Sequence, residues 1–179
     1  MLQERFHSIE NLADQIRACL DLRPPIDLDQ AIDELGGNLR TDVSLPDECS
    51  GRIRKLNNVF EISIRSSQPN SRHWSPRDRF TIAHELGHLF LHMGYMVNPD
   101  KWRESSDYKD GVFYRFGHGI EEVEANAFAA ALLMPRKEFT QEMISGSHTD
   151  FQLIAEHFGT SLSAARRRAD ILGVGCAAA

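Results

Sequence analysis

Two histidines four residues apart, His84 and His88, enclose the segment Glu85-Leu86-Gly87. In a helix, residues four apart lie on one face with their Cβ atoms about 5–6 Å apart. Two imidazoles at that spacing can bind one zinc ion, with Zn–N distances of about 2.0–2.1 Å. Glu85 is turned about 100° from His84, where its carboxylate can take a proton from a water molecule that the metal activates. The spacing therefore predicts two metal ligands and a catalytic general base.

A catalytic zinc site requires a third protein ligand and one open position. His92 lies on the same helical face as His84, but eight residues along the helix correspond to about 12 Å. That distance is too long for both side chains to reach one ion. We therefore interpret His92 either as a core histidine or as a residue that supports a ligand from behind.

A second helical segment begins at Glu121 and offers two candidate carboxylates, Glu122 and Glu124. Glu122 and Asn126 lie one turn apart, so Glu122 can bind the metal while Asn126 accepts a hydrogen bond from a ligating histidine. Glu124 is turned about 200° from Glu122, so both cannot face the metal. We favour Glu122 because only this residue has a polar partner one turn later. The alternative is a solvated acidic helix start, which the helix dipole also favours.

The HExxH motif, His84 to His88, requires a helix, and the surrounding residues predict one. Ser75 and Pro76, followed by Asp78, form a typical helix start with a hydroxyl cap, an early proline and an early carboxylate. The helix is expected to run to about Met93, because Gly94 follows.

Residues 51–56 and 59–64 are predicted to form a hairpin around Asn57-Asn58, residues that tolerate positive φ. In the second strand Phe60 and Ile62 alternate with polar residues, which gives one buried face. We expect this strand to pair with an extended substrate, with Phe60 and Ile62 as substrate-binding residues. The alternative is an ordinary structural strand.

These elements indicate an α+β fold, with a small antiparallel sheet packed on the active-site helix and on a second ligand-bearing helix. A helical C-terminal part follows. We divide the chain into an N-terminal helix (1–24), a core that carries the metal site (25–145), and a C-terminal helical appendage and tail (146–179).

Residues 95–119 show no clear hydrophobic period and predict a long loop, which is either a lid or a plain surface insertion. Tyr114 and His118 in this loop are candidate substrate-binding residues. Together with Tyr108 and Arg115, they are also candidates for stabilising the oxyanion of the reaction.

The composition restricts the function and the compartment. A net charge of −6 argues against a general nucleic-acid or anionic-membrane surface. Three distant cysteines indicate neither a disulfide framework nor a cysteine metal cluster. The first residues lack the layout of a signal peptide, and the longest apolar run, Ala127 to Met134, is too short to span a bilayer. We expect a soluble cytoplasmic protein.

Several segments together resemble the ImmA/IrrE family of metallo-endopeptidases. They are Phe80 to His88, Leu91-His92, Glu122 to Ala130 and Leu132 to Pro135. The resemblance extends over about residues 25–172, and its two separated motifs occur in the expected order.

The resemblance implies a compact α+β fold with His84, His88 and Glu122 as zinc ligands and Glu85 as the catalytic residue. It also implies proteolysis of a helix-turn-helix transcriptional repressor in phage, mobile-element or stress regulation. Mn²⁺ or Fe²⁺ would suit the same ligands, because ligand type alone does not select the metal in a cell.

A DNA-binding or metal-sensing regulatory protein with little or no peptidase turnover is the alternative function. Residues 154–172 loosely imitate a helix-turn-helix, with Gly159 at the turn and Arg166-Arg167-Arg168 beyond it. Three arginines on a helix are usually a solvated face, and the chain is acidic. Glu85 argues against a purely structural or sensing metal site, because such a site has no use for a general base.

Overall fold

A computed structural model describes residues 2–47, 49–66, 73–105, 119–145 and 150–174. Its elements, in chain order, are α1 (Leu2–Cys19), α2 (Leu28–Glu34), β1 (Asn38–Thr41), β2 (Gly51–Leu56), β3 (Val59–Ile64), α3 (Pro76–Gly87), a π-helical turn (His88–His92), α4 (Pro99–Glu104), α5 (Ile120–Leu133), α6 (Arg136–Ser145), α7 (Phe151–Phe158) and α8 (Leu162–Leu172). The predicted α+β fold class with a helical C-terminal part is confirmed. No helix in the described ranges has the length and apolar character needed to cross a membrane.

The three strands form one mixed sheet in the order β1-β3-β2. The β2–β3 pair is the predicted antiparallel hairpin, and Asn57 and Asn58 at its turn have φ angles of 47° and 69°. Two positive φ values at the central residues are what a type I′ turn requires. Strand β1, which pairs in parallel with β3, adds a strand that the sequence analysis did not predict.

Strand β3 lies in the centre of the sheet, with β1 on one edge and β2 on the other. Its Phe60 and Ile62 side chains are fully buried in the core. The prediction that this strand pairs with a substrate is therefore wrong, because both of its edges are already hydrogen-bonded. Because their side chains are buried, Phe60 and Ile62 are core residues and not substrate-binding residues. Among the described strands, β1 and β2 each have an outer edge that pairs with no other strand.

Helix α3 begins as predicted. The Ser75 hydroxyl accepts a hydrogen bond from the Asp78 backbone N–H at 3.1 Å, and Pro76 occupies the first turn. The helix continues into the π-helical turn, in which the Met93 N–H donates to the His88 carbonyl. Gly94, with a φ of 77°, ends it where expected. The final turn is thus wider than an α-helical turn, a feature that often occurs at functional sites.

Part of the predicted loop at residues 95–119 is helical. Helix α4 begins after Asn98, whose side chain accepts a hydrogen bond from the Lys101 N–H. Trp102 on this helix packs edge-on against Tyr95 and lies under the Lys55 ammonium of β2. The loop prediction is therefore wrong for residues 99–104, and residues 106–118 lie outside the described part of the chain.

Helix α1 packs along α5, and ion pairs join it to α5 and to two further helices. Its ion pairs, which lead to α5, α6 and α8 respectively, are Arg5–Glu124, Arg17–Glu138 and Glu10–Arg168. These contacts connect the first residues of the chain to segments more than 100 positions away.

Helices α7 and α8 are joined at Gly159, which adopts a left-handed conformation with a φ of 63°. Arg168 on α8 is 2% exposed and faces the protein, not the solvent. Its guanidinium donates to both Glu10 carboxylate oxygens and to the Met134 carbonyl. Arg168 therefore stabilises the fold, whereas its neighbours Arg166 and Arg167 are exposed.

We expect Arg168→Met to lower the free energy of unfolding by about 3 kcal/mol, because the substitution leaves a partly buried carboxylate without its counter-charge. Arg167→Met removes an arginine from the exposed neighbouring position and is the matched control, with an expected change within about 0.5 kcal/mol. Urea denaturation followed by circular dichroism measures both. Equal stability of the two variants would contradict the structural role of Arg168.

Candidate metal centre

His84, His88 and Glu122 are brought together by two helices, α3 with its π-helical turn and α5. The Nε2 atoms of the two histidines lie 3.0 Å apart. The Glu122 carboxylate completes the triangle, with Oε2 at 3.2 Å from His84 Nε2 and Oε1 at 3.4 Å from His88 Nε2. In a tetrahedral zinc site with bonds of about 2.0–2.1 Å, neighbouring ligand atoms are separated by about 3.3 Å. The three residues therefore form a potential metal site.

The chemistry of these three side chains fits a divalent cation. Both imidazoles are buried, and their Nε2 atoms face each other, so at most one can donate a proton to the other. Glu122 Oε2 is buried and, among the described residues, makes no hydrogen bond of suitable geometry. Such an atom costs about 1–3 kcal/mol if it is left unsatisfied. A cation at the centre of the triangle would satisfy all three side chains at once, and a His-His-Glu set suits zinc.

The Glu122 carboxyl is held in the charged form that metal binding requires. Burial on its own would raise the pKa of this group, because it penalises the charged state. The polar contacts with His84 and His88 outweigh burial and lower the pKa below its usual range. Glu122 is thus available as an anionic ligand.

The close packing of α3 on α5 is what brings the ligands together. A Cβ atom added to Gly87 would lie 2.9 Å from the Ala125 Cα and 3.1 Å from the Ala125 carbonyl oxygen. Only glycine allows the backbones to approach to this distance. Gly87 directly precedes His88, and Ala125 follows Glu122 by three residues, so this close contact of the helices lies next to the candidate ligands.

Asn126 lies beside His84, one turn after Glu122. The Nδ1 atom of His84 is 3.1 Å from the Asn126 side-chain oxygen. If Nδ1–H donates to this oxygen, the lone pair of His84 is on Nε2, which is the atom that faces the other two ligands. The amide thus orients the ring for metal binding.

Glu85 is 1% exposed and its carboxylate points towards the beginning of β2. A Cβ atom added to Gly51 would lie 2.6 Å from Glu85 Oε1, so the glycine leaves room for this carboxylate. The Glu85 carboxylate is therefore located between the motif helix and β2, one of the two edge strands.

His92 lies behind the potential metal site and does not contribute to it. Its Nδ1 atom is 2.8 Å from His88 Nδ1, and its Nε2 atom is 3.2 Å from Glu124 Oε2. Glu124 in turn accepts two hydrogen bonds from Arg5, at 2.7 and 2.8 Å. These residues form a polar chain that begins at α1 and ends at His88.

The ionisation of this chain follows from its surroundings. Burial, followed by the proximity of His88, lowers the pKa of His92, which favours the neutral imidazole. The hydrogen bonds from Arg5 lower the pKa of Glu124, which favours the carboxylate. The contact between them thus joins a neutral ring to a charged carboxylate.

Sequence reasoning considered Glu124 only as a rival of Glu122 and did not detect its contacts with His92 and Arg5. The angular offset on α5 indicated that Glu124 faces away from the metal, but not what it faces. Arg5 is 119 residues from Glu124, and no local pattern relates the two. The candidate residues Tyr108, Tyr114, Arg115 and His118 lie outside the described part of the chain.

We expect Gly87→Ala to lower the free energy of unfolding by about 1–3 kcal/mol, because the new methyl group meets backbone atoms of α5 that cannot move independently. In a helix without such a contact, the same substitution raises stability by about 0.5–1 kcal/mol. Urea denaturation of the metal-free protein measures the change in the free energy of unfolding. A loss of stability indicates the close contact with α5, and a gain indicates its absence.

Comparisons with known proteins agree with this geometry. A family model for the IrrE N-terminal-like domain (Peptidase_M78) matches residues 69–170. No curated protein matches the chain. A solved structure described as a Mycobacterium tuberculosis transcriptional regulator is similar in fold, with a TM-score of 0.56 and 22% identity. The similarity covers 90% of this chain but 46% of that one, so the chain spans less than half of its structural neighbour.

The family match includes both candidate ligand-bearing helices and supports a metallopeptidase-type function. Because it extends over more than half of the sequence, the chain belongs to the IrrE N-terminal-like peptidase family.

Proposed function

We propose that the protein is a zinc-dependent endopeptidase in which His84, His88 and Glu122 hold the metal and Glu85 is the general base. The observation that carries this proposal is the triangle of ligand atoms, with sides of 3.0, 3.2 and 3.4 Å. Two helices contribute to it, and Glu122 follows His84 by 38 residues and His88 by 34 residues in the sequence. A chance arrangement of surface carboxylates and imidazoles would not place three such atoms in a buried position at tetrahedral spacing.

A divalent metal ion held there would polarise the scissile carbonyl and activate a water molecule as the nucleophile. Glu85 would accept the proton of that water and deliver it to the leaving amine. Its position supports this role, because it directly follows His84 and its carboxylate is directed towards β2. Asn126 would keep His84 in the tautomer that presents Nε2 to the metal.

An extended substrate would pair with the outer edge of β2. In this position its backbone would run past Gly51, against which the Glu85 carboxylate lies. Strand addition provides affinity through main-chain hydrogen bonds and leaves selectivity to side-chain pockets. This arrangement suits a peptidase that recognises an unfolded or extended segment.

A helix-turn-helix transcriptional repressor in the cytoplasm is the proposed substrate. The resemblance of the two motifs to those of ImmA/IrrE peptidases supports this choice. Cleavage of such a repressor would connect the enzyme to transcription regulation in a stress or mobile-element response.

The observations disfavour DNA binding as the alternative function. Arg168, one of the three arginines beyond the turn of the segment that resembles a helix-turn-helix, is buried in its ion pair with Glu10. The acidic net charge of −6 also opposes binding to phosphate backbones. Fluorescence anisotropy with duplex DNA tests the alternative, and a salt-dependent affinity would support it.

We expect Glu122→Gln to weaken zinc binding at least tenfold, because the amide has lost the charge of the carboxylate ligand. Glu121→Gln is the matched control, since Glu121 is an exposed neighbour on the same helix, and we expect no change in affinity. Competition with a chromophoric chelator measures both dissociation constants. Unchanged affinity in Glu122→Gln would exclude Glu122 as a ligand.

We expect Glu85→Gln to retain zinc binding but to cleave at least 100-fold more slowly, because a positioned general base contributes about 10²–10⁴ to the rate. Helix-turn-helix repressors are the candidate substrates for this assay, and mass spectrometry of the products measures cleavage. Removal of the metal by a chelator should abolish cleavage, and added zinc should restore it. Full activity of Glu85→Gln would reject Glu85 as the base.

A further inference from the structure

We propose that His92, Glu124 and Arg5 are positioning residues of the metal site, which fix the ring orientation and the tautomer of His88. In this arrangement helix α1 contributes to metal affinity although none of its residues reaches the metal. The inference rests on the proposed role of His88 as a ligand.

The residues form an ordered series of contacts that leads from His88 to helix α1. From the candidate site outwards, His88 Nδ1 contacts His92 Nδ1 at 2.8 Å, and His92 Nε2 contacts Glu124 Oε2 at 3.2 Å. Arg5 then donates to both oxygens of Glu124. His88, His92 and Glu124 are all buried, so water does not compete for these contacts.

In this polar chain, the nitrogen that carries the proton on one imidazole ring determines which nitrogen carries it on the next. If His88 binds the metal through Nε2, its own proton must be on Nδ1. Two nitrogens 2.8 Å apart share a single proton, so His92 Nδ1 is the acceptor. The proton of His92 is then on Nε2, which faces an acceptor, Glu124 Oε2. The carboxylate therefore selects the tautomer of His92, and His92 selects the tautomer of His88.

Arg5 holds the carboxylate in place. The Glu124 side chain is 7% exposed, whereas the Arg5 side chain is 51% exposed, so the arginine covers the carboxylate from the solvent side. Its two hydrogen bonds leave Glu124 Oε2 directed at His92. Without Arg5, water would replace the guanidinium and Glu124 would be free to change rotamer. Arg5 lies outside the matched residues 69–170, so this anchor is not part of the matched domain.

The two candidate histidine ligands are consequently supported in different ways. His84 contacts the neutral amide of Asn126, which lies at the surface. His88 contacts a buried imidazole backed by a carboxylate, an arrangement that increases the basicity of the ligating nitrogen. Loss of such a support typically weakens metal affinity by about 10–100-fold.

The first test compares zinc dissociation constants, measured by chelator competition, of the full-length chain and its variants. We expect a 10–100-fold increase for His92→Phe, which removes the acceptor of His88 Nδ1–H. We expect a smaller increase for Glu124→Gln, which retains an acceptor oxygen but not its charge. Arg5→Gln should increase the constant several-fold. Arg17→Gln is the matched control, because Arg17 on the same helix pairs with Glu138 on α6, and it should have no effect.

The second test measures the tautomers directly and does not depend on any variant. In the zinc-loaded wild-type protein labelled with ¹⁵N-histidine, long-range ¹H–¹⁵N spectra distinguish protonated from unprotonated ring nitrogens. We expect His92 to carry its proton on Nε2 and His88 to carry its proton on Nδ1. A proton on His92 Nδ1 would overturn the inference, as would equal zinc affinity of Arg5→Gln, His92→Phe and the wild type.

The experiment separates failure of this inference from failure of the proposed function. If the wild-type chain binds no zinc, or if Glu122→Gln binds it normally, the proposed metal site is wrong. The proposed role of His92, Glu124 and Arg5 is then rejected with it. If zinc instead binds through the three proposed ligands while His92→Phe, Glu124→Gln and Arg5→Gln bind it as tightly as the wild type, that result rejects only the positioning role. In that case His92 and Glu124 serve the fold alone.

Discussion

The approach of α3 to α5 at Gly87 and Ala125 is the constraint on which the candidate site depends. Two ligands on one helix define a line, and only a second helix at a fixed distance can add the third. With a side chain at position 87, the added Cβ would lie 2.9 Å from the Ala125 Cα, so the helices would have to separate. A separation of about 1 Å would move the Glu122 oxygens away from the ligand spacing of about 3.3 Å that a tetrahedral zinc site has.

The sheet and α1 hold this helix pair from different sides. Strands β2 and β3 both contact α3, and β3 contributes the buried Phe60 and Ile62 to the core. Helix α1 packs along α5 and adds ion pairs to α5, α6 and α8. Because its partners are spread over the second half of the chain, α1 restrains the helices relative to one another. A helix that the sequence analysis set apart from the core is thus joined directly to the ligand-bearing helix α5.

Local chemistry made part of the fold and of the candidate site predictable. Ser75 and Pro76 define the beginning of α3, and Asn57-Asn58 defines the hairpin, through interactions within a few residues. Helical periodicity was sufficient to separate Glu122 from Glu124, because the two side chains of α5 point in different directions. Wherever neighbours in sequence are also neighbours in space, the residue types carried the information.

Features that depend on distant partners were not predictable. The alternation in β3 indicates one buried face, but it carries no information about which edges of the strand are paired. The position of β3 between β1 and β2 therefore contradicted its proposed contact with substrate. Similarly, α4 is held by contacts of Trp102 with Tyr95 and Lys55 rather than by a hydrophobic period of its own. The Arg5–Glu124 pair spans 119 positions and has no signature in either segment.

The polar groups of the site show how its binding energy and its folding are connected. Burial of the Glu122 carboxylate on its own penalises the charged form, and the contacts with His84 and His88 outweigh that penalty. These contacts form because the Gly87–Ala125 packing holds α3 against α5, and the Arg5–Glu124 ion pair joins α1 to the same ligand-bearing helix. A cation that binds only the folded chain adds stability in proportion to RT ln(1 + [L]/Kd). Since that gain requires α3 and α5 to be in place, cation binding is coupled to the packing of these two helices, and helix α1 takes part in this coupling through the Arg5–Glu124 contact.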